Sequence, residues 1–477
     1  MKMYIDGGWS ESKSGEEIAV YNSYNGEKID AVPSATKEET RHAIKKAQEG
    51  KEEMKNMAAH TRRDILIKVA ELIRKDKEEL SRLLARENGK PITQTEEEVE
   101  CAAYIYESFA EEAKRIMGSS IPMDAQPGLE NNFSVVVKEP VGVVGAIIPF
   151  NYPVELSAHK IAPALAAGNA VIAKPPASCP LTTLKIAEII EKAGIPGTAF
   201  QMITGRGSVV GEELARSSGV DLITLTGSTE TGKRVGKMAM ENVKRVLMEL
   251  GAVDATIIFA DADLEKAAQA IIEGRLSRGN GQICCAVKRV LVEDKISEEF
   301  IDLLVEKTSS LKIGDPLERD TDVGPLIDEN SAIAVQKSVE RDIENGAKVL
   351  VGGTRENAVY HPTVINQINP DMDIFKEEIF GPVVPLVSFE TEEEALQLAN
   401  DSVYGLQAGV FTNDVSRAIR VSHKLDTGGV IVNWSGALRA ANLPFGGQKL
   451  SGLGREGIHH TIDEMTETKS IVFHDVF

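Results

Sequence analysis

The sequence predicts an α/β protein made of two parallel-sheet domains and a small β arm. Three observations carry this. From Val141 onward, strand-length apolar runs alternate with helical patterns, and such alternation builds a parallel sheet with helices on both faces. The alternation restarts after Asp254, which marks a second sheet. Residues 118–138 hold Pro122, Pro127 and Gly128 and then the alternating Phe133-Ser-Val-Val-Val-Lys138, an extended arm able to add to a partner's sheet. A chain of 477 residues is long enough for two or three cored domains.

Residues 1–35 read as short strands broken by Asp-Gly-Gly and Asn-Gly turns. Three charged segments follow, 37–58, 61–88 and 93–117. In the second, Ile65, Ile67, Ala70, Leu72 and Ile73 recur among Lys, Arg and Glu and predict an amphipathic surface helix with a solvated charged face. The first alternation has strands at Val141–Ile148, Ala170–Lys174, Ala199–Ile203, Leu222–Thr226 and Val246–Leu250. Between them lie an Ala-rich stretch, Ile161–Ala167, and helical patterns at Leu181–Ala193, Val209–Arg216 and Thr231–Met240. The second alternation has strands at 256–260 and 289–293 and helices at 264–277 and 297–310. A Gly-rich stretch, Pro444 to Gly454, precedes an extended tail, Lys469–Phe473.

A formal net charge of -20 leaves no basic surplus to neutralise phosphates, so nucleic acid is not an expected partner. Four cysteines, Cys101, Cys179, Cys284 and Cys285, make no disulfide framework and suit a reducing compartment. The N-terminus has no apolar core of signal-peptide length, and the most apolar stretch, Val141–Phe150, is too short to cross a bilayer as a helix. The expectation is a cytoplasmic protein with no membrane partner and no metal site.

Five short stretches carry candidate chemistry. In Gly281-Gln-Ile-Cys284-Cys285-Ala286 a thiol sits on a Gly-containing turn ahead of the apolar run Val290-Leu-Val292, where it can be held towards a substrate as a nucleophile. The plainer alternative is a buried Cys acting as a small hydrophobe. In Leu225-Thr-Gly-Ser-Thr-Glu-Thr-Gly232 two glycines mark a strand-to-helix junction whose free N–H groups suit a pyrophosphate, and Gly205-Arg-Gly207 is similar. Neither has the usual three-glycine dinucleotide spacing, and either can be a structural turn. Glu249 ends the apolar run Val246-Leu-Met-Glu-Leu; its carboxyl there would have a raised pKa and could act as a base, or could simply be exposed at a strand end. Asn151, in Pro149-Phe-Asn-Tyr-Pro153, could donate to a developing oxyanion or cap the turn between two prolines.

Together these stretches resemble the aldehyde dehydrogenase superfamily over essentially the whole chain. The matching motifs, in the family's order, are Pro149-Phe-Asn-Tyr-Pro, Lys174-Pro-Pro, Thr226-Gly-Ser-Thr-Glu-Thr-Gly, Met248-Glu-Leu-Gly, Gly281-Gln-Ile-Cys, Glu378-Ile-Phe-Gly-Pro and Pro444-Phe-Gly-Gly. The resemblance implies two Rossmann-like domains: a dinucleotide-binding one of residues 1–117 and 141–250, and a catalytic one of 251–450. It implies an oligomerisation arm of 118–140 with 451–477, and a homo-oligomer, dimer or tetramer. Cys284 would attack an aldehyde carbonyl, with Cys285 a neighbour without chemical duty. Asn151 and the Cys284 N–H would hold the oxyanion, and Glu249 would activate the water that hydrolyses the thioester. Glu378 would bind the nicotinamide-side ribose, Phe380 would pack by the ring, Ser228 would meet the pyrophosphate and Lys174 the adenosine ribose. Ile148, Pro149, Phe150, Pro176, Ala177, Gly207, Gly211, Thr226, Gly227, Gly232 and Leu250 complete the implied cofactor set.

Many NAD-preferring members carry Glu three residues after the Lys-Pro lysine, and here that position is Ala177. Losing the carboxylate removes repulsion against a 2′-phosphate, so NADP is the expected cofactor, with NAD also accepted. Asn151-Tyr-Pro-Val, Lys174-Pro-Pro, Gly205-Arg-Gly-Ser and Ala286-Val-Lys-Arg-Val-Leu-Val look like non-phosphorylating NADP-dependent glyceraldehyde-3-phosphate dehydrogenases. Leu156-Ser-Ala-His159-Lys-Ile-Ala-Pro and Ser451-Gly-Leu-Gly-Arg-Glu-Gly look like archaeal-type lactaldehyde dehydrogenases. The chain departs from the family in having Ser277-Arg278 where an aromatic is common before the Cys, Leu225 for Phe, and Ala252 for Gly. Arg278, Arg439 and His159 are therefore the candidate substrate contacts, suited to a small oxygenated or anionic aldehyde, although either arginine can instead make an internal ion pair. Two rivals stand beside this reading: a catalytically silent structural protein on the same fold, and a CoA-acylating dehydrogenase, which Glu249 disfavours.

Overall fold

In the computed structural model, which describes residues 1–476, the apolar runs become two sheets. Phe477, the last residue of the tail predicted at 451–477, lies outside the described residues. The first sheet has eight strands in the order Gly8–Ser10, Met3–Ile5, Phe200–Met202, Ala170–Lys174, Val143–Ile147, Leu222–Thr226, Arg245–Glu249 and Gly452–Leu453. The strands from Phe200–Met202 to Arg245–Glu249 run parallel; the flanking ones are antiparallel. The second sheet has seven, in the order Lys348–Val351, Thr363–Asn366, Val383–Phe389, Arg289–Glu293, Ala255–Ile258, Gln407–Phe411 and Gly429–Val432, parallel except for the first. Every residue of Ala170–Lys174, Leu222–Thr226 and Arg289–Glu293 is buried, as a strand covered on both faces requires.

Several elements differ from expectation. Segment 61–88 is two helices, Ala59–Lys75 and Lys77–Asn88, because the Asp76 backbone leaves the helical region at φ -97, ψ 14. The buried stripe of the first is Leu66, Val69, Ala70 and Ile73, a 3-1-3 spacing that aims one line of side chains at the Ile92–Glu112 helix; Ile65, Ile67 and Leu72 are only half-buried. The helix expected at 264–277 is α-helical over Leu264–Ile271 and then widens into a π-turn, Ile272–Ser277. The one expected at 209–216 likewise starts with a π-turn, Gly207–Gly211.

The arm strand Phe133–Pro140 pairs along its whole length with Thr466–Phe473 of the same chain. Residues 451–465 do not extend the arm as expected. Gly452–Leu453 joins the first sheet beside Met248–Glu249, and Ile458–Glu464 packs on the Pro153–Ala167 helix, because Ile462 and Met465 complete the first domain's core. That core and the two layers covering the second sheet are separate; a small cluster of Ala252, Ile283, Cys285, Ala286, Leu406 and Phe445 bridges them.

Candidate active site

Strand order in the first sheet reverses between Val143–Ile147 and Leu222–Thr226, so a crevice opens at their carboxyl ends. A cleft of about 480 Å³ occupies it, lined by Pro149, Phe150 and Asn151 after the first strand and Thr226, Gly227 and Ser228 after the second. Leu250 and Gly251 follow the neighbouring strand, and the second domain contributes Gln282, Cys284, Glu378 and Phe380. A cavity of about 50 Å³ adjoins it, walled by Tyr152, Glu155, Arg278 and Arg439. Cys284 and Asn151 line both spaces and stand at their junction.

The turn that presents Cys284 is held by backbone geometry. Gly279, Asn280 and Gly281 take φ of 57°, 52° and 73°, three left-handed residues in succession. Asn280 tolerates this because its amide donates to the Gly89 and Pro325 carbonyls (3.0 and 2.7 Å) and accepts from the Gly324 N–H (2.9 Å). At Gly281 a Cβ would run into the Gly381–Pro382 backbone, so only glycine lets the turn dock on the segment that follows Glu378. The preceding π-turn directs Arg275 inward, where it donates to the carbonyls of Val383 (2.7 Å), Ile379 (2.9 Å) and Gly281 (3.3 Å). Burial pushes that guanidinium down to about 9. Cys285 is buried in the bridging cluster, whereas Cys284 is half-buried at the cavities. A hydrogen bond to Cys285, followed by burial, holds the Cys284 thiol well above its ordinary value.

Glu249 ends its strand in register with Thr226. It is 2% exposed, and neither carboxylate oxygen has a hydrogen-bond partner. Glycine at 446 lets the backbone approach, since a Cβ there would stand 2.9 Å from Glu249 Oε1. Burial, and next the charge of Glu456, raise the Glu249 carboxyl well above its usual range. Glu456 goes the other way. Burial alone would raise it, but Lys160 (Nζ at 2.9 Å) and Arg439 (Nη2 at 2.6 Å) hold it ionised. One carboxylate is thus kept charged at the expense of its neighbour, which leaves Glu249 poised to take a proton. Removing one member of such a buried cluster costs about 3–5 kcal/mol, because the others stay uncompensated.

Asn151 is fixed through its backbone. Its carbonyl accepts from Lys90 Nζ (2.8 Å), and the carbonyl of Phe150 accepts from Asn88 Nδ2 (2.6 Å). Lys90 pairs with buried Glu98 and lies over the Tyr152 ring at 3.8 Å. Glu98 in turn accepts from the N–H groups of Val154 (2.9 Å) and Glu155 (3.3 Å), capping the Pro153–Ala167 helix. The Asn151 side-chain amide is left free to donate into the junction.

Of the residues expected at a cofactor, Pro149, Phe150, Thr226, Gly227, Ser228, Leu250, Glu378 and Phe380 meet in the cleft. Ile148, Lys174, Pro176, Ala177, Gly207, Gly211 and Gly232 stand outside that wall. Lys174 ends the adjoining strand, buried, with Nζ on the Pro175 carbonyl (2.9 Å), and burial pushes it down to about 8. Gly232 makes room for Leu250. Of the three candidate substrate contacts, Arg278 is exposed at the small cavity and makes no ion pair among the described residues. Arg439 lines that cavity but is committed to Glu456, with its guanidinium over Phe445 at 4.3 Å. His159 reaches neither space: it is buried in its helix with both ring nitrogens unpartnered, kept neutral by burial and then by Arg439.

Sequence reasoning missed the far wall of the cleft. Ser331, Ala334, Val335 and Ser338 share one face of the helix Glu329–Glu344 at i, i+3, i+4, i+7 spacing. That period announces a helix, but not that small side chains there border a ligand space rather than a core. Lys160 and Glu456 were also missed.

The strand-to-helix junction on the cleft wall suits a pyrophosphate. Thr226 Oγ1 is buried and unpartnered among the described residues, a Cβ at Gly227 would make only an ordinary contact with Leu225 (3.8 Å), and the helix Thr229–Met240 points its free N–H groups there with Ser228 as cap. No group of three or more His, Cys, Asp or Glu suited to a metal occurs among the described residues, and no helix there is long and apolar enough to cross a membrane.

Known proteins resemble the chain over its length. Residues 9–471 match the model of the Aldehyde dehydrogenase family. A lactaldehyde dehydrogenase of Methanococcus aeolicus is 41% identical over 474 residues, 98% of this chain and 99% of its own. A 3-sulfolactaldehyde dehydrogenase of Priestia aryabhattai is 41% identical over 471 residues, 98% of this chain and 97% of its own. The crystal structure of a glyceraldehyde-3-phosphate dehydrogenase from Methanocaldococcus jannaschii complexed with NADP superposes with a TM-score of 0.92 at 39% identity, covering 96% of this chain and 99% of that one. The Cys284 thiol and the Asn151 amide, together at the junction of the cleft and the small cavity, therefore have an established context: the chain belongs to the aldehyde dehydrogenase family and is an NAD(P)-linked oxidoreductase acting on aldehydes.

Proposed function

We propose that the protein oxidises a small oxygenated aldehyde of the lactaldehyde type to its carboxylate. The observation that carries this is the junction itself, where Cys284 and Asn151 border both the larger cleft and a cavity of only about 50 Å³. Cys284 gives its proton to solvent and adds as the thiolate to the carbonyl carbon. The Asn151 amide and the Cys284 N–H donate to the oxygen as it gains charge. A nicotinamide dinucleotide bound in the cleft supplies the hydride acceptor. Glu378 and Phe380 would hold its nicotinamide end, Ser228 and the following helix its pyrophosphate, and Lys174, beyond the cleft wall, its adenosine ribose. The C–H bond breaks as the carbonyl re-forms, leaving a thioester on Cys284. Glu249 then takes a proton from water, the hydroxide adds to the thioester carbon, the C–S bond breaks, and Cys284 leaves with the carboxylate freed.

The small cavity disfavours long alkyl chains, and its polar walls, Tyr152, Glu155 and Arg278, suit a hydroxyl. A second reading, an anionic aldehyde such as glyceraldehyde 3-phosphate, is favoured by one observation: Arg278 faces the cavity without a carboxylate partner. Ala177 and buried Lys174 support NADP over NAD. One kinetic matrix tests both. The expected result is kcat/KM for lactaldehyde about tenfold above that for D-glyceraldehyde 3-phosphate, and NADP about tenfold better than NAD at pH 7. Because Lys174 is held down to about 8, the NADP advantage shrinks as pH rises above that value and Lys174 loses its proton. A preference for the phosphate ester at any pH selects the second reading, and equal use of NAD removes Lys174 from the 2′-phosphate.

Exposed Ile471, Val472 and Phe473 on the arm and the open edge of Gly429–Val432 support a homo-oligomer, dimer or tetramer. Light scattering is expected to give a multiple of the 51.6 kDa chain mass, reduced by Val472→Asp; a wild-type monomer ends the proposal. The unpaired thiols fit a reducing cytoplasm, which cell fractionation checks.

A further inference from the structure

Lys288 lies four residues beyond Cys284, on the linker into Arg289–Glu293. The linker is anchored, since the N–H groups of Lys288 and Arg289 both donate to the Asp254 carbonyl (3.2 and 3.1 Å). The Lys288 side chain is 2% exposed, so its charge must be met by protein groups. It has one ion-pair partner among the described residues: Nζ stands 2.8 Å from Glu378 Oε1. The ammonium also lies 5.0 Å from the centroid of the Phe380 ring. Neighbouring Arg275 gives no competing anchor, because its donors go to backbone carbonyls.

The two oxygens of Glu378 are used differently. Oε1 accepts from both Lys288 Nζ and the Ala252 N–H, the latter at 3.3 Å. Oε2 has no donor among the described residues and lies over Gly251, where a Cβ would stand 2.5 Å away. The carboxylate borders the cleft with its second oxygen unspent. A carboxylate on a flexible stem visits several rotamers, but swinging this one would strand a buried ammonium, which is costly. We infer that Lys288 is a positioning residue, locking Glu378 with one oxygen committed to the protein and the other presented to the cofactor's nicotinamide-side ribose. The inference rests on the cofactor role proposed for Glu378 and adds the residue that sets its geometry.

The competing explanation is a purely structural ion pair that holds the 378–382 segment. Direct titration of NADP by calorimetry separates the two, with Tm recorded for each variant. Lys288→Met is expected to raise the NADP Kd about tenfold, as is Glu378→Gln, and the double variant is expected to be no weaker than the weaker single, because both act through one carboxylate. Lys288→Arg keeps the charge and is expected to return Kd to within about threefold of wild type. Should Lys288→Met not fold, Lys288→Gln is held to the same tenfold expectation. A lowered Tm with unchanged Kd in the Lys288 variants overturns the inference while Glu378→Gln still weakens binding. If Glu378→Gln itself binds NADP normally, the cofactor role of Glu378 falls, and the role of Lys288 falls with it.

Discussion

Replacing Cys284 by serine is expected to lower kcat/KM for aldehyde oxidation by at least about 10⁴-fold, while Cys285→Ala stays within about tenfold of wild type. The two thiols are adjacent in sequence and differ only in where the turn aims them. Cys284 borders both cavities, while Cys285 packs against Ala252, Leu406 and Phe445. A serine hydroxyl at 284 is a far weaker nucleophile near neutral pH, and its ester would also be a poorer leaving arrangement than a thioester. Cys285 is not inert electrostatically, because its pairing with Cys284, with burial, raises the Cys284 thiol while that same pairing lowers Cys285. Iodoacetamide inactivation of the wild type should therefore accelerate as pH climbs past the ordinary thiol range. In Cys285→Ala it should be faster at pH 7.5, since one of the two causes has gone. Retained turnover in Cys284→Ser with loss in the Cys285 variant would mean the nucleophile is the other thiol.

The parts of the fold that were readable are those where burial leaves a continuous signature. Ala170–Lys174, Leu222–Thr226 and Arg289–Glu293 lie at their expected bounds because strands covered on both faces carry a nearly continuous apolar run, with charged residues only at the ends. Leu181–Ala193 does too, set off by Pro180 and by Gly194 at φ 103°. What escaped were features that one-dimensional periodicity does not encode. An aspartate is ordinary on a helix surface, so the break at Asp76 leaves no mark, and a π-turn inserts its extra residue without changing composition. The site divides in the same way. Asn151 and Glu249 stand just past or at the end of an apolar run, and Cys284 stands just before one, so their placement could be argued residue by residue. Their environment could not, because it is assembled across the chain: Lys160 meets Glu456 over 296 residues and Lys288 meets Glu378 over 90. His159 shows the converse error, a residue promising in its motif but turned into the core by its helix.

Glu249→Gln should separate the two halves of the reaction. Thioester formation needs the thiol, the oxyanion donors and the cofactor; hydrolysis needs a base beside the acyl carbon. Removing the carboxylate is expected to slow steady-state turnover by about 10²–10⁴-fold while stopped-flow absorbance still shows a burst of one reduced cofactor per active chain. The wild-type pH profile follows from the same geometry. Burial and the fixed charge of Glu456 raise the Glu249 carboxyl, so its basic form is lost as pH falls through a value well above the usual carboxylate range. Turnover should decline on that acid side in wild type, and the residual turnover of Glu249→Gln should lack that titration. Making Glu456 neutral with Glu456→Gln removes the like charge and should move the acid limb to lower pH, with Lys160 and Arg439 left uncompensated and the fold weakened accordingly. Undiminished turnover in Glu249→Gln, or loss of the burst together with turnover, would place the base elsewhere and leave the orphaned carboxylate without a chemical role.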